Sequence, residues 1–308
     1  MKFLIVFILS LFTSASFLVI ERLAGIGWDF HPDSVTYATT SEDVYSAIIS
    51  DWTQLPNNAY YVISYLLGQS VVLITLMNMT LFAITNSLIY KTIKYQAGYS
   101  ISPLLSLLLL LNPYRVHLST TMLKDTLVIF LMVLLLSSST ITRTAAFIAM
   151  FLIRVASPIY LLTLIPKRYL RYILLGSLFL MAIFWSIAIE RILEFNDQEM
   201  QLREFDQIPT FQDLGFPGSI LRGITWSLLA FSGTFALISP ALAFYPVAVG
   251  SIMTLVFLKK VTGSLNIPIQ LFIATTIFGA MVTGFTAYIR YIYPILVVWP
   301  IIAIKKND

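Results

Sequence analysis

Apolar positions in this chain come in long continuous runs, and polar positions collect between them. Residues 126–136 and 172–189 are typical runs, with no charged side chain in either. A helix that crosses a bilayer needs about 20 mostly apolar residues, whereas a membrane-barrel strand alternates apolar and polar positions over about ten. The continuous runs therefore predict helices. They fall at residues 3–20, 71–90, 101–111, 123–136, 172–189, 243–258, 269–285 and 293–304. Three pieces are irregular. Residues 60–67 form a short apolar segment, suited to a helix lying at an interface. Residues 145–166 are interrupted by Arg154 and Pro158 and read as two half-length helices. Residues 224–240 are cut by Gly233 and Pro240. Two polar segments, about 21–58 and 190–223, are too acidic to enter lipid and are expected as loops.

Composition makes lipid the natural solvent. Of 308 residues, 58% are hydrophobic and 11% charged, and the mean hydropathy is +0.86; a soluble domain carries about 25% charged residues. In lipid every backbone polar group must find its partner inside the protein. The expected fold is all-α: a polytopic integral membrane protein, one membrane domain over residues 1–308. About eight full spans follow, rising towards eleven if the broken pieces cross as well. Lys2, the apolar run after it and the small residues 13–16 look like a signal peptide. The run continues to Ile20 and further spans follow, so an uncleaved first helix is expected.

The net charge of +4 does not point to nucleic acid. The basic residues sit in short clusters at the ends of apolar runs, as on the cytoplasmic flanks of membrane helices. Placing Lys2, Lys91, Lys94, Arg143, Lys167, Arg168, Arg171, Lys259, Lys260, Lys305 and Lys306 inside accounts for more than half of the 19 basic residues and puts both termini in the cytoplasm. Every acid except Asp308 then falls on the external side or at its interface. Acids contribute little to insertion, so the asymmetry points to work done at the outer face. Cysteine is absent, which excludes disulfides and thiol chemistry.

The first external loop holds the densest chemistry: Gly27-Trp28-Asp29-Phe30-His31-Pro32-Asp33-Ser34-Val35-Thr36-Tyr37. A carboxylate just outside the first helix, at Asp33, is placed to act as a general base at the membrane surface; the plainer reading of the residues alone is a solvated acidic loop with a helix N-cap at Asp33 or Ser34. Asp29, His31 and Asp33 alternate, so an extended segment would aim all three at one divalent cation, with no further ligand in view. Lys124 and Asp125 enter the run at 123–136, either to meet a lipid phosphate or as a snorkelling lysine beside a helix-start acid. Arg154 stands inside an apolar run, where a charge is costly and marks function by default; the alternatives are a buried ion pair or a bond to carbonyls freed near Pro158. Arg290 lies among Tyr288, Tyr291 and Tyr293 in the loop before the last run. Its planar fork suits a phosphate, and the tyrosines suit sugar faces or an ordinary interface belt. His31 and His117 are the only histidines and read as lone residues rather than metal ligands.

His31-Pro32-Asp33-Ser34-x-x-Tyr37 after a first membrane helix resembles the His-Pro-Asp-Glu-x-x-Tyr pattern of GT-C-type membrane glycosyltransferases. These are multi-span proteins that take a sugar from a polyprenyl phosphate carrier outside the cytoplasm. Asn112-Pro113-Tyr114 with Leu123-Lys124-Asp125, and Tyr288-Ile289-Arg290-Tyr291-Ile292-Tyr293-Pro294, look like the same broad group, which includes polysaccharide polymerases. Arg222, ten residues and Gly233 are similar to a pattern of Wzy-type O-antigen polymerases. The resemblance implies Asp33 as catalytic base. Lys124, Arg154, Arg222 and Arg290 would bind the donor phosphate, and Asp29, His31, Tyr37, Asp125 and Tyr291 would support the site. Ser34 stands where many members have a second acid, which bears on any metal-assisted version.

The partners so implied are a polyprenyl-linked sugar or glycan, a saccharide acceptor and the lipid bilayer, in a bacterial inner membrane. A polysaccharide polymerase would use the same chemistry, and a flippase near its gene would favour it. A flippase or transporter for a lipid-linked sugar is the rival from another class. Its usual inverted repeats are not visible.

Overall fold

The computed structural model describes residues 2–97, 109–137, 139–166, 168–172, 175–176, 208–238, 244–282 and 284–304. The regular elements they form are all helices, with no strand among the described residues. They form two compact units, Met1–Pro158 with Ile304–Asp308 and Ile159–Ala303.

The first unit is built on α1 (Lys2–Leu23) and α5 (Val71–Ala97). At 1.5 Å per residue they are about 33 and 40 Å long, enough for a bilayer core of about 30 Å. They pack along each other. Ser10 and Ser14 on α1, and Asn78, Asn86 and Ser87 on α5, are buried. The outer face of α1 leaves Phe3, Leu4, Ile8, Phe12 and Val19 exposed. Such an inside-out distribution suits lipid rather than water. Between the two come α2 (Pro32–Ala38), α3 (Glu42–Ser50) and α4 (Ala59–Leu66). Pro32 at the first helical position suits α2, since its missing N–H is unpaired there in any helix, and the Ser41 hydroxyl caps α3 by accepting from the Val44 N–H. Then follow α6 (Pro113–Ser119), α7 (Asp125–Leu135) and α8 (Thr140–Ile153). At 11 residues α7 is about 16 Å long, so the run at 123–136 does not cross alone.

The second unit starts with the short α9 (Pro158–Leu161), then α10 (Gly215–Ser232), α11 (Phe235–Ile238), α12 (Tyr245–Thr262), α13 (Ile269–Met281) and α14 (Phe285–Ile304). Its tightest pair is α10 with α13. Four helices of the described residues are long and apolar enough to cross a membrane: Phe3–Leu23, Val71–Tyr95, Tyr245–Thr262 and Phe285–Ile304. Most of the expected spans at 172–189 and 101–111, most of the loop at 190–223, and Lys167, Lys305, Lys306 and Asp308 lie outside the described residues.

Two boundaries differ from expectation. α10 begins at Gly215, so the end of the second polar segment is helix rather than loop. α14 begins at Phe285 rather than near 293. Its first turns bury Phe285, Tyr288, Ile289, Ile292 and Tyr293. That apolar stripe outweighs the aromatic, arginine-bearing look that reads as a loop. Pro294 lacks the N–H that the Arg290 carbonyl would take, and the neighbouring Tyr291 carbonyl accepts the Tyr160 hydroxyl at 2.6 Å.

Candidate functional site

The turn between α6 and α7 organises the first unit. It leaves backbone carbonyls outside any helix and buried, where an unpaired polar group is costly. Side chains from neighbouring helices take them. Asn78 donates to the Thr121 and Leu123 carbonyls at 2.7 and 3.1 Å, and the Tyr60 hydroxyl to that of Met122 at 3.0 Å. That is why an asparagine stands mid-way along an apolar helix. A layer away, Arg115 donates to Asn86 Oδ1 at 2.6 Å, and Asn86 donates to Ser10 at 3.0 Å. The guanidinium lies over the Phe82 ring, 5.4 Å from its centre.

The turn fixes Lys124 and Asp125. Asp125 accepts from Arg154 Nη2 at 2.7 Å, with both side chains almost wholly buried. Arg154 sits where α8 ends, its own N–H bonded to the Met150 carbonyl. The uncomfortable arginine is thus half of an ion pair joining the start of α7 to the end of α8, and the break expected at Arg154 and Pro158 is present. The Lys124 ammonium reaches the Ile153 carbonyl at 3.3 Å and Asn57 Oδ1 at 3.5 Å.

Asp33 lies in the first turn of α2, half-buried. Tyr37, one turn on, is 3% exposed within a cluster with Tyr60, Ile74 and Met122. Burial first, then the charges of Asp33 and Asp125, hold the Tyr37 proton far above its usual range. Burial and then Asp33 raise the pKa of Tyr61 in the same direction. Asp33 and Asp125 therefore both act on one phenol, which stays neutral and a hydrogen-bond donor at any ordinary pH. The expected fan of Asp29, His31 and Asp33 on one cation does not form. Trp28–Phe30 is a 3-10 turn and Pro32–Ala38 an α-helix, so alternate residues do not share a face. Among the described residues no three His, Cys, Asp or Glu side chains come together to hold a metal.

The histidines are not lone. His31 Nε2 and His117 Nε2 are 2.8 Å apart. His117 Nδ1 meets Glu21 Oε1, and the Thr120 hydroxyl donates to the other carboxylate oxygen. Glu21, His117 and Arg115 were not legible as site residues. The one signal was charge beside Pro113-Tyr114 and at the end of α1.

In the second unit Arg222 is fully buried. It donates to the Gly279 and Ala280 carbonyls, both at 2.8 Å, and lies over Trp226. These are last-turn carbonyls of α13, which have no partner within their own helix. Gly233 ends α10 at φ 73°, and a Cβ there would lie 2.8 Å from the Ala248 carbonyl oxygen. The ten-residue spacing to Arg222 thus joins two packing positions. Gly233→Ala is expected to cost about 1–2 kcal/mol from the left-handed backbone, read as a lower unfolding midpoint. Arg290 lies inside α14, not in a loop before it. The Tyr291 ring packs against Phe278 at 5.7 Å, and Tyr288 and Tyr293 are buried rather than at an interface belt.

Compared with family models, curated proteins and solved structures, the chain matches none.

Proposed function

We propose that the chain is a membrane glycosyltransferase of cell-surface polysaccharide synthesis, acting at the external face of a bacterial inner membrane. The donor is a sugar on a polyprenyl (pyro)phosphate and the acceptor a saccharide hydroxyl. The observation that carries this reading is a juxtaposition: Asp33 lies in the first turn of α2, one turn before the buried Tyr37, and Asp125, which is paired with Arg154 and far from Asp33 in sequence, acts on that same phenol. Asp33 takes the hydroxyl proton as the oxygen attacks the anomeric carbon. The bond to the carrier phosphate breaks with its electron pair on the phosphate, inverting the centre. Tyr37, neutral throughout, donates to an oxygen of the reacting groups, and the Lys124 ammonium stabilises the departing phosphate.

Asp33→Asn keeps the size and removes the base. Sugar transfer by the purified full chain from a lipid-linked donor is expected to fall about 100-fold or more, with normal protein levels in the membrane. Near-normal transfer by that variant overturns the reading.

A further inference from the structure

Outside the groups given a role above, the most developed polar feature of the first unit is the chain Glu21–His117–His31. It starts at a carboxylate 6% exposed, passes through an imidazole 16% exposed, and ends at His31, the half-buried residue that immediately precedes α2, two positions before Asp33. It joins residues 96 apart in sequence across α1 and α6.

With both imidazoles neutral, the contacts leave one proton arrangement. An ionised Glu21 accepts, so the Nδ1 of His117 carries the proton. The Nε2 of His117 is then an acceptor, and His31 must donate to it from its own Nε2. That leaves the basic lone pair of His31 on Nδ1. A proton arriving at Nδ1 makes an imidazolium whose Nε2–H already points at a second imidazole, and behind that imidazole stands a buried carboxylate. An acid behind an imidazole stabilises the imidazolium and fixes its tautomer.

We propose that Glu21, His117 and His31 form a proton relay that takes up, at His31 Nδ1, the proton Asp33 removes from the acceptor hydroxyl; this rests on the glycosyltransferase reading. The proton passes from the Asp33 carboxyl to Nδ1, directly or through one water, restoring the carboxylate for the next turnover. It is shared along the Nε2–Nε2 bond and then lost to solvent. An imidazole ordinarily holds a proton more tightly than a carboxylate does, so the transfer runs in this direction. His31 and His117 are positioning residues for the proton rather than groups on the sugar.

Other charges do not displace this assignment. Arg22 donates to the Ile26 carbonyl at 2.7 Å and is exposed, as is Asp29. On α6 the Tyr114 ring lies 6.4 Å from His117, and Arg115 reaches Asn86. On α4 and α2 the phenols of Tyr61 and Tyr37 stay protonated. Asp125 at the start of α7 is paired with Arg154. Tyr90, Lys91 and Lys94 lie at the far end of α5, beyond Ser87, which meets the Phe3 end of α1.

The test uses a convenience of composition: the chain has two histidines. Histidine labelled with 15N, in the full chain in lipid nanodiscs, gives two imidazoles by magnetic resonance. The relay requires opposite tautomers and a nitrogen–nitrogen coupling across the shared hydrogen. Two uncoupled imidazoles of one tautomer overturn it, whatever the protein catalyses. Glu21→Gln keeps the side-chain shape and removes the charge, so the imidazolium loses its support. The acid limb of the transfer rate is expected to move to lower pH, because a proton on the imidazole loses the carboxylate behind it. His31→Gln should remove that limb and lower kcat with KM unchanged. An unaltered pH profile in either variant overturns the relay. Coupled imidazoles in a wild-type protein that transfers no sugar would instead remove the glycosyltransferase reading and with it the relay's proton source.

Discussion

Arg154→Ala is expected to destabilise the first unit by about 3–5 kcal/mol, the cost of leaving one member of a buried ion pair without the other. The Asp125 carboxylate is 3% exposed and would remain buried at the start of α7. Arg154 also closes α8 through its N–H to the Met150 carbonyl, and the Ser157 hydroxyl donates to that same carbonyl at 2.9 Å. That backbone bond survives the substitution, so the loss measures the charge pair rather than the helix end. The double variant Asp125→Leu with Arg154→Met removes both charges at similar volume. It should recover most of the stability, since buried ion pairs exchange for well-packed apolar groups at little net cost. Unfolding in detergent, followed by circular dichroism, gives the comparison. A single substitution as mild as an exposed control, such as Ile148→Ala, would mean the pair is not buried in the folded protein. Sugar transfer by the double variant then separates scaffold from chemistry: a stable protein that no longer transfers assigns the pair to the reaction.

The sequence carried this ion pair only as a tension. Arg154 in an apolar run has to be neutralised by something, and the helix broken beside it, but the partner is 29 residues away. Periodicity speaks of a residue's own helix face and is silent about which other element meets that face. The same gap hid Glu21 and His117. Each looks ordinary alone, an acid at a helix end and a histidine in a short helix, and only the packing of α1 on α6 makes them neighbours. What the sequence did carry is whatever depends on local composition: α1, α5, the short α4 and the interruption at 154–158 all stand where runs and breaks put them. It misplaced the start of α14 because Tyr288, Arg290 and Tyr291 look interfacial, while the stripe they belong to becomes visible only when Ile289, Ile292 and Tyr293 are seen to face inward. Asp33 was legible as a surface carboxylate. That Asp33 and Asp125 would both act on Tyr37 was not, since Asp125 is positioned by the turn that Asn78 and Tyr60 pin.

Gly223→Val and Gly279→Val are expected to damage the second unit as heavily, by a different route. A Cβ on Gly223 would lie 2.3 Å from the Thr276 carbonyl oxygen, and one on Gly279 would lie 2.7 Å from the Gly223 Cα. These are backbone atoms, so no side chain can turn aside; the helices α10 and α13 must move apart. Small residues that let backbones touch are a usual basis of helix association where water supplies no driving force. Separation has a second consequence, because Arg222 is next to Gly223. Its two bonds to the Gly279 and Ala280 carbonyls, both 2.8 Å, exist only at this spacing. Stretching them leaves a buried guanidinium short of acceptors and the end of α13 short of donors. Overpacking alone costs about 1–3 kcal/mol, and a buried cation deprived of its bonds adds a similar amount or more. The combined loss is therefore expected at about 3–5 kcal/mol. Ile224→Ala, one residue along α10 and on its exposed side, should stay within about 0.5 kcal/mol. Gly223→Ala should fall between them, since one methyl meets the same oxygen with less bulk behind it. A valine at 223 no worse than the alanine at 224 would show that the two backbones do not touch.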